Sequence, residues 1–374
     1  MTQIIFILVA VILSLYALLL LIPAFVFTFW KDRRRKLFIP KTFISVIVPV
    51  RNEEPVIFDC LESFHGLDYP KGLFEIIIVN DHSTDRTKNI VEEFLLRNNE
   101  MKITVLENES HGKKSALTVG VLAAQAQLIV TTDGDCIVPK NWLLEMAEVY
   151  ENENPVFIAG PVAYKNGGGI FRDLLQIEQL VLQTISGGAM RMGFPLMCSG
   201  ANMAYTKEFF LKSGGYENDP FASGDDMMLL LKANRMFPGK LKFMGTGNSI
   251  VKTDAAKKWG EAIQQRSRWI SKFSGYKSFP ISITGIIVLL MNTVFLISGL
   301  AIFFENHLLD SFFLALGGKM IVDLLLLSLA VRFFREPRLL LLAPFAELFY
   351  PFLAISAVMA RLKGGYSWKS RRWS

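Results

Sequence analysis

Two carboxylates separated by one glycine, Asp133-Gly134-Asp135, form the clearest chemical signal in the sequence. The glycine lets the chain bend sharply, so both carboxylates can face one ion. Carboxylate oxygens are hard ligands that suit Mg²⁺ or Mn²⁺, with a diphosphate completing the shell. Taken alone, this pattern is more often a solvated Asp-Gly turn, so its meaning depends on the elements around it.

A second carboxylate pair, Asp225-Asp226, precedes an apolar run of strong helix formers that starts at Met227. Acidic residues near a helix start are stabilised by the positive end of the helix dipole, which is the plain explanation of the pair. The chemical explanation is that one carboxylate, by preference Asp226, accepts a proton from a hydroxyl.

A third group, Gln265, Arg268 and Trp269, has the spacing i, i+3 and i+4, which places all three on one face of a helix. Arginine can bind a phosphate in a fork, and tryptophan can stack on a sugar or a base. An amphipathic helix at a bilayer surface has the same composition, and the two interpretations are compatible.

Four short β-branched runs precede these groups in the sequence, at residues 45–50, 75–80, 103–107 and 128–132. Their starts are about 25–30 residues apart, which is the size of one βα unit. The sequence therefore predicts an α/β fold with a Rossmann-like, mostly parallel sheet. Ligands of such sheets bind beyond the carboxyl ends of the strands. The polar residues found there are Arg51, Asn52, Glu53, Asp81, Asp133 and Asp135.

Several other classes of protein are disfavoured. No Gly-x-Gly-x-x-Gly fingerprint follows the first strand, and Gly112-Lys113-Lys114-Ser115 lacks the upstream glycine of a phosphate-binding loop. The net charge of +6 comes largely from basic flanks of apolar segments, so we expect no nucleic-acid partner. Cys60, Cys136 and Cys198 have no metal-ligand spacing and are expected to be reduced thiols.

In combination, the motifs resemble those of the family 2 inverting glycosyltransferases with the GT-A fold, over roughly residues 44–272. The resemblance implies that a nucleotide donor contacts one set of residues, which are Pro49, Arg51, Glu53, Asp81, Lys113, Asp133, Gln265, Arg268 and Trp269. Asp135 and Asp133 match the metal-binding D-x-D pair. Asn80 and His82 depart from the family's VDDGSTD segment, where Asp and Gly are usual.

The same resemblance assigns the acceptor side. Gly200-Ala201-Asn202 is similar to the family's acceptor segment, and Asp225-Asp226 is similar to its Glu-Asp pair, with Asp in place of Glu at 225. Asp226 then stands as the catalytic base and Asp225 as its neighbour.

Four apolar segments flank this domain, at residues 4–30, 283–304, 311–331 and 339–360. About 20 apolar residues span a bilayer. Five basic residues within 31–36, and the basic residues Lys363, Lys369, Arg371 and Arg372, favour a cytosolic face. The expected domains are an anchor at 1–30, a cytosolic GT-A domain at 31–280, and a membrane region at 281–374. The outer loop would carry Glu305 and Asp310, and the last segment would cross or re-enter the membrane.

Lys319 and Asp323 lie four residues apart inside an apolar segment, as a neutralising pair or as a site near a lipid path.

The resemblance implies transfer of a hexose or N-acetylhexosamine from a UDP-sugar, and the expected acceptor is lipid-linked or a polysaccharide, with Mg²⁺ or Mn²⁺ as the metal. The expected location is the bilayer of a bacterial inner membrane, within the cell envelope. The alternatives are a processive polysaccharide synthase acting as an oligomer and an inactive scaffold of the same fold. A transporter is disfavoured by the long soluble domain.

Overall fold

The computed structural model describes residues 2–29, 38–217, 224–301, 304, 308–362, 366–368 and 371–373. The chain forms two compact units. The sheet unit comprises residues 30–165 and 197–254, and the helical unit comprises residues 1–29, 166–196 and 255–374. Each unit is described by itself below.

The sheet unit alternates strands and helices, as the spacing of the β-branched runs predicts. Its strands are β1 (Ile44–Val50), β2 (Phe74–Asn80), β3 (Ile103–Glu107), β4 (Leu128–Thr131), β5 (Phe157–Ala159), β6 (Val162–Tyr164), β7 (Met203–Thr206), β8 (Leu241–Phe243) and β9 (Val251–Thr253). Its helices are α2 (Ile57–His65), α3 (Thr87–Arg97), α4 (Lys113–Ala123), α5 (Trp142–Glu153), α7 (Lys207–Lys212) and α8 (Asp225–Met236), with short 3₁₀ turns at Lys71–Leu73 and Gly247–Ser249.

Seven strands form one sheet in the order β3-β2-β1-β4-β7-β5-β8. The pairs β3–β2, β2–β1, β1–β4 and β5–β8 are parallel, while β7 runs antiparallel to both of its neighbours. Every residue of β1 and β2 is buried, because helices cover both faces of a parallel sheet. The predicted α/β fold with a mostly parallel sheet is confirmed.

The register brings the ends of β1 and β2 level with one another. Val50 pairs with Asn80, so Arg51 and Asp81 leave the sheet side by side. Pro49 lies inside β1 opposite Val79 and is buried. The core includes the fully buried Trp142 of α5, whose ring stacks on that of Phe64 in α2.

The helical unit contains α1 (Thr2–Phe29), α6 (Ile170–Arg191), α9 (Trp259–Ile270), α10 (Phe273–Tyr276), α11 (Phe279–Ala301), α12 (Leu309–Phe334) and α13 (Ala343–Leu362), together with a 3₁₀ segment at Pro337–Leu342 and a hairpin of β10 (Tyr366–Trp368) and β11 (Arg371–Trp373). Helices at Gln3–Phe29, Phe279–Ala301, Leu309–Phe334 and Pro337–Leu362 are long and apolar enough to cross a membrane. Within the described residues, the four predicted apolar segments are therefore mainly helical.

A polar network joins three of these helices. Nζ of Lys319 in α12 lies 2.6 Å from Oδ2 of Asp323 and 2.8 Å from Oε2 of Glu347 in α13. The hydroxyl of Tyr16 in α1 donates to Oδ1 of Asp323 at 2.5 Å. The predicted Lys319–Asp323 pair is thus present, and Glu347 adds a second carboxylate to it.

Part of the predicted charge pattern, namely the basic residues of 31–36, Glu305, Lys363 and Lys369, lies outside the described residues. Membrane orientation, the crossing or re-entry of α13, and the functional boundaries at 1–30, 31–280 and 281–374 stay predictions.

Candidate active site

The loop after β1 is hydrogen-bonded to the segment that follows β2. On the β1 side the bonds come from Asn52 and Glu53, two and three residues after the end of that strand. The amide of Asn52 donates to Oγ of Ser83 at 3.1 Å, and Oδ1 of Asn52 accepts from the amide of Thr84 at 2.8 Å. The amide of Glu53 donates to Oγ1 of Thr87 at 2.8 Å. These bonds fix the predicted donor residues Arg51 and Glu53 against the Asp81 segment.

Asp81 is buried and its carboxylate is held from three sides. Oδ1 accepts from Nδ2 of Asn108 at 2.8 Å and from the amide of Gly112 at 2.9 Å. Nη1 of Arg51 lies 3.5 Å from Oδ2 and donates to the Asp81 carbonyl at 3.0 Å. The predicted donor residues Arg51 and Asp81 therefore form one rigid charge pair at the carboxyl ends of β1 and β2.

The Asp-Gly-Asp turn follows β4 and packs closely against the β1 loop. A Cβ on Gly134 would lie 3.0 Å from Cγ1 of Val50 and 3.2 Å from Cγ of Glu53, so a larger residue here would require these side chains to shift. The two oxygens of Asp135 have separate partners: Cys136 Sγ is 3.4 Å from Oδ1, and Thr253 Oγ1 donates to Oδ2 at 3.3 Å. Burial, followed by the Asp135 and Asp133 carboxylates, raises the pKa of the Cys136 thiol, so the thiol keeps its proton and donates.

Lys113, the first residue of α4, joins the two carboxylate pairs. Its Nζ lies 2.6 Å from Oδ1 of Asp133 and 3.4 Å from Oδ2 of Asp225. Burial alone lowers the pKa of Lys113, but the negative charges of Asp133 and Asp225 outweigh it and raise this pKa well above its ordinary value. Lys113 is therefore a fixed cation among these carboxylates.

Asp225 and Asp226 begin α8, as predicted, and differ in environment. Asp225 is buried, while Asp226 is half-buried. Oδ2 of Asp226 accepts from the amide of Gly200 at 3.3 Å. A Cβ on Gly200 would stand 3.0 Å from Oδ2 of Asp225 and 3.2 Å from Nζ of Lys113, so a larger residue here would displace this ion pair. The structure thus brings Asp133, Asp225, Asp226, Lys113 and Gly200 together.

Asn202, predicted on the acceptor side, is fully buried. Its Oδ1 accepts from Nε1 of Trp142 at 2.9 Å, and its Nδ2 donates to the carbonyls of Pro161 and Ser249 at 2.8 and 2.9 Å. The side chain therefore anchors the segment, and the neighbouring Ala201 is also buried. Acceptor contact by Gly200, Ala201 and Asn202 stays a prediction. The side-chain amide of Asn202 already makes hydrogen bonds to other residues of the protein.

The residues after β4 fit a divalent cation. Asp133, Asp135 and Cys136 each offer one ligand atom, and these atoms lie within 4.8 Å of one another. A cationic side chain, Lys113, already contacts Asp133, which shows that the site attracts positive charge. Two carboxylates are the donor set that Mg²⁺ and Mn²⁺ prefer. The predicted metal ligands Asp133 and Asp135 thus satisfy the chemistry of such a site.

Gln265, Arg268 and Trp269 lie on α9 of the helical unit, half-buried and within one helix as predicted. The residue between them, Arg266, is buried. Its Nη1 donates to Oε1 of Gln265 at 2.7 Å, and its guanidinium lies 5.2 Å from the centre of the Trp269 ring.

Arg266 also pairs with Glu178 of α6 through Nε at 3.1 Å and through Nη2. Glu178 and Arg266 thus hold the motif helix within its unit. Sequence reasoning missed both residues.

Cys136, Asn108 and Thr253 were also missed. Cys136 directly follows the Asp-Gly-Asp motif, and this adjacency is the signal that could have found it. Asn108 follows β3, so the rule that applied to the other strand ends applies to it as well. Thr253 lies at the end of a three-residue strand without a distinctive pattern. The three thiols are free and buried, as expected.

The fold of the chain is GT-A-like. The mannosyltransferase PcManGT from Pyrobaculum calidifontis, solved in complex with GDP-Man and Mn²⁺, aligns with a TM-score of 0.61 at 18% identity, over 97% of this chain and 99% of that one. At this identity the likeness concerns the fold, and it confirms the predicted GT-A type.

Residues 45–214 match the profile of the family described as Glycosyl transferase family 2. The Probable glycosyltransferase YdaM of Bacillus subtilis (strain 168) is 28% identical over 254 residues, or 64% of this chain and 56% of YdaM. The Beta-monoglucosyldiacylglycerol synthase of Nostoc sp. (strain PCC 7120) is 31% identical over 112 residues, or 30% of this chain and 24% of that protein. The matches thus span between about a quarter and about half of these relatives.

Proposed function

We propose that this protein is a membrane-bound, inverting glycosyltransferase that moves a hexose or N-acetylhexosamine from a UDP-sugar to a lipid-linked or glycan acceptor. The single observation that carries the proposal is that Nζ of Lys113 pairs with both Asp133 of the proposed metal site and Asp225, the neighbour of the proposed base Asp226. The family 2 match over residues 45–214, which includes Lys113 and Asp133, supports it.

The donor nucleotide would lie along the carboxyl ends of β1, β2 and β4. Asp81 would accept hydrogen bonds from the base, and its carboxylate is already fixed for this task by Asn108, Gly112 and Arg51. Fixed acceptors do not have to reorganise when a ligand arrives, which favours binding. Pro49, Arg51 and Glu53 would line the proposed nucleotide site on the β1 side.

Asp133 and Asp135 would hold Mg²⁺ or Mn²⁺, which would supply charge stabilisation for the departing diphosphate. Cys136 and Thr253 orient the two oxygens of Asp135, and such outer partners fix the direction of a ligand. Lys113 adds a positive charge that stabilises negative charge developing near Asp133. Gln265, Arg268 and Trp269 are proposed, on their motif alone, to contact the donor.

The proton of the acceptor hydroxyl would pass to Asp226. Asp226 is the more exposed of the pair, whereas Asp225 is buried and lies 3.4 Å from Nζ of Lys113. A neighbouring cation stabilises the ionised form of a carboxylate and makes it a weaker base. Direct attack on the anomeric carbon from the face opposite the leaving group gives inversion.

The acceptor is proposed to be membrane-embedded because the described part of the chain contains four helices of spanning length. A relative matched over 30% of this chain is named Beta-monoglucosyldiacylglycerol synthase, and a lipid product in that name points the same way. The sheet unit is proposed to face the cytosol of a bacterial cell.

A donor panel tests the proposal. The full chain, purified in detergent with Mn²⁺ and membrane lipid extract, should release UDP from one UDP-sugar, as detected by luminescence. Absence of UDP release from every UDP-sugar, with GDP release instead, would correct the donor. Release of neither nucleotide would contradict the proposal that the protein is a glycosyltransferase.

A further inference from the structure

A second group of metal-type ligands lies at the end of β2, away from the Asp-Gly-Asp residues in sequence. Asp81, His82 and His111 each offer one ligand atom, and these atoms lie within 4.8 Å of one another. Both histidines are exposed, and their ring centres are 4.1 Å apart. Side chains from two successive strand-end loops therefore converge on one carboxylate.

His82 occupies a backbone conformation that favours glycine. Its φ is +58°, in the left-handed region that a residue with a Cβ adopts only at a cost. Strained residues persist where the surrounding structure holds them, and they cluster at ligand sites. The left-handed conformation of His82 therefore fits a ligand site in this loop.

The ring of His82 is oriented by the protein. Its Nε2 lies 2.8 Å from the carbonyl oxygen of Ser110. In the tautomer that donates this hydrogen bond, Nδ1 keeps its lone pair and is available to a metal. Metal-ligating histidines usually donate their other N–H to a carbonyl or carboxylate in this way.

We propose that Asp81, His82 and His111 bind a borderline-soft divalent cation such as Ni²⁺ or Zn²⁺. Imidazole nitrogen suits these ions, whereas the carboxylate pair Asp133 and Asp135 suits Mg²⁺ or Mn²⁺. The two sites share no residue and differ in ligand chemistry. The bound ion would be coordinated by the carboxylate of Asp81. In the proposed function, the same carboxylate accepts hydrogen bonds from the nucleotide base. Ni²⁺ and the nucleotide therefore exclude one another, and this second step rests on the proposed function.

The first experiment measures metal binding alone. The full chain, free of any polyhistidine tag, is saturated with Mg²⁺ to occupy Asp133 and Asp135 and is then titrated calorimetrically with Ni²⁺. The wild type should bind one Ni²⁺ per chain. Loss of an outer-shell partner typically weakens metal binding by about 10–100-fold. His82→Gly and His111→Asn each remove a ligand, so each should weaken Ni²⁺ binding by more than that.

The variants control for folding and for exposed histidine. Glycine adopts the left-handed conformation without strain, so His82→Gly should unfold at a temperature no lower than the wild type. His65→Asn removes another exposed histidine, which pairs with Glu100, and should bind Ni²⁺ like the wild type. Ni²⁺ binding that survives in His82→Gly, or that disappears in Asp135→Ala, would overturn the site.

The second experiment measures UDP affinity with and without saturating Ni²⁺. Ni²⁺ should lower the affinity in the wild type and leave it unchanged in His82→Gly. Equal UDP affinity with and without Ni²⁺ in the wild type would overturn the competition. A wild type that binds Ni²⁺ but never binds UDP would support the metal site and count against the proposed donor.

Discussion

Nζ of Lys113 lies 2.6 Å from Oδ1 of Asp133, which joins the start of α4 to the turn after β4. The same ammonium lies 3.4 Å from Oδ2 of Asp225 at the start of α8. Three segments that are far apart in sequence thus meet through one cation. Without a divalent ion, this cation is what offsets the repulsion between the two carboxylates.

Replacement of Lys113 should expose that repulsion. Lys113→Met keeps the apolar stem and removes the charge, so Asp133 and buried Asp225 lose a shared partner. Breaking a buried pair costs about 3–5 kcal/mol, and the 20% exposure of the Lys113 side chain places the expected loss below that range. Thermal unfolding in detergent measures it, and Mn²⁺ should stabilise the variant more than the wild type.

Lys212→Met is the matched control, because its exposed pair with Glu208 is worth about 0–1 kcal/mol. The raised pKa of Lys113 sets the pH dependence. The contribution of this cation is complete below the ordinary lysine pKa and is lost only as pH rises through the raised value. The loss of stability in Lys113→Met relative to the wild type should therefore be equal at about pH 6 and about pH 9. A deficit that shrinks across this window would contradict the ion pair.

Asp135→Ala should abolish turnover at every accessible Mg²⁺ or Mn²⁺ concentration, because it removes a ligand. Thr253→Val keeps the ligand and removes only the hydroxyl that donates to Oδ2 of Asp135. Loss of such an outer partner typically costs about 10–100-fold in metal affinity, so high Mn²⁺ should restore Thr253→Val. Metal titrations of activity separate the two variants. Full activity of Asp135→Ala, or full activity of the wild type in excess EDTA, would refute the metal assignment.

Asp226→Asn keeps the shape of the proposed base and removes its basicity. General base catalysis typically contributes about 10²–10⁴-fold, so turnover should fall by that order while UDP affinity stays nearly unchanged. Asp225→Asn should reduce turnover less and raise the acceptor KM more. Calorimetry with UDP and turnover at saturating acceptor measure both effects. If Asp225→Asn is the less active enzyme and Asp226→Asn resembles the wild type, the assignment of the base is reversed.

Lys319 tests the polar network of the helical unit. Lys319→Met leaves Asp323 and Glu347 without their shared ammonium, and loss of one partner of a buried pair costs about 3–5 kcal/mol. The triple variant Lys319→Met, Asp323→Asn, Glu347→Gln removes all three charges and should recover most of the stability. Unfolding temperatures in detergent compare the two, and a triple variant as unstable as the single one would contradict this explanation.

The central sheet could be predicted closely from local sequence, because β-branched runs and their spacing are local properties. The predicted strand at residues 103–107 is identical to β3, and those at 45–50 and 75–80 miss only Ile44 and Phe74. The position of Asp133 and Asp81 followed from a general rule, since parallel strands place their carboxyl ends at one edge.

Contacts between distant segments could not be predicted in this way. Lys319–Asp323 has helical spacing and was predicted, whereas the partner Glu347 lies on another helix. Arg266 reaches Glu178 across 88 positions, and no periodicity encodes that pairing. Asn202 was assigned by motif alone, while its buried bonds to Trp142, Pro161 and Ser249 depend on tertiary packing.

The most direct test of the central proposal follows a labelled sugar from donor to product. Purified wild type, Mn²⁺, the UDP-sugar identified by the donor panel and membrane lipid extract are incubated, and the lipid-linked product is analysed for its anomeric configuration by NMR. The proposal predicts a lipid-bound sugar of configuration opposite to that of the donor, absent with Asp135→Ala. Sugar transfer with retained configuration, or equal product from Asp135→Ala, would contradict it.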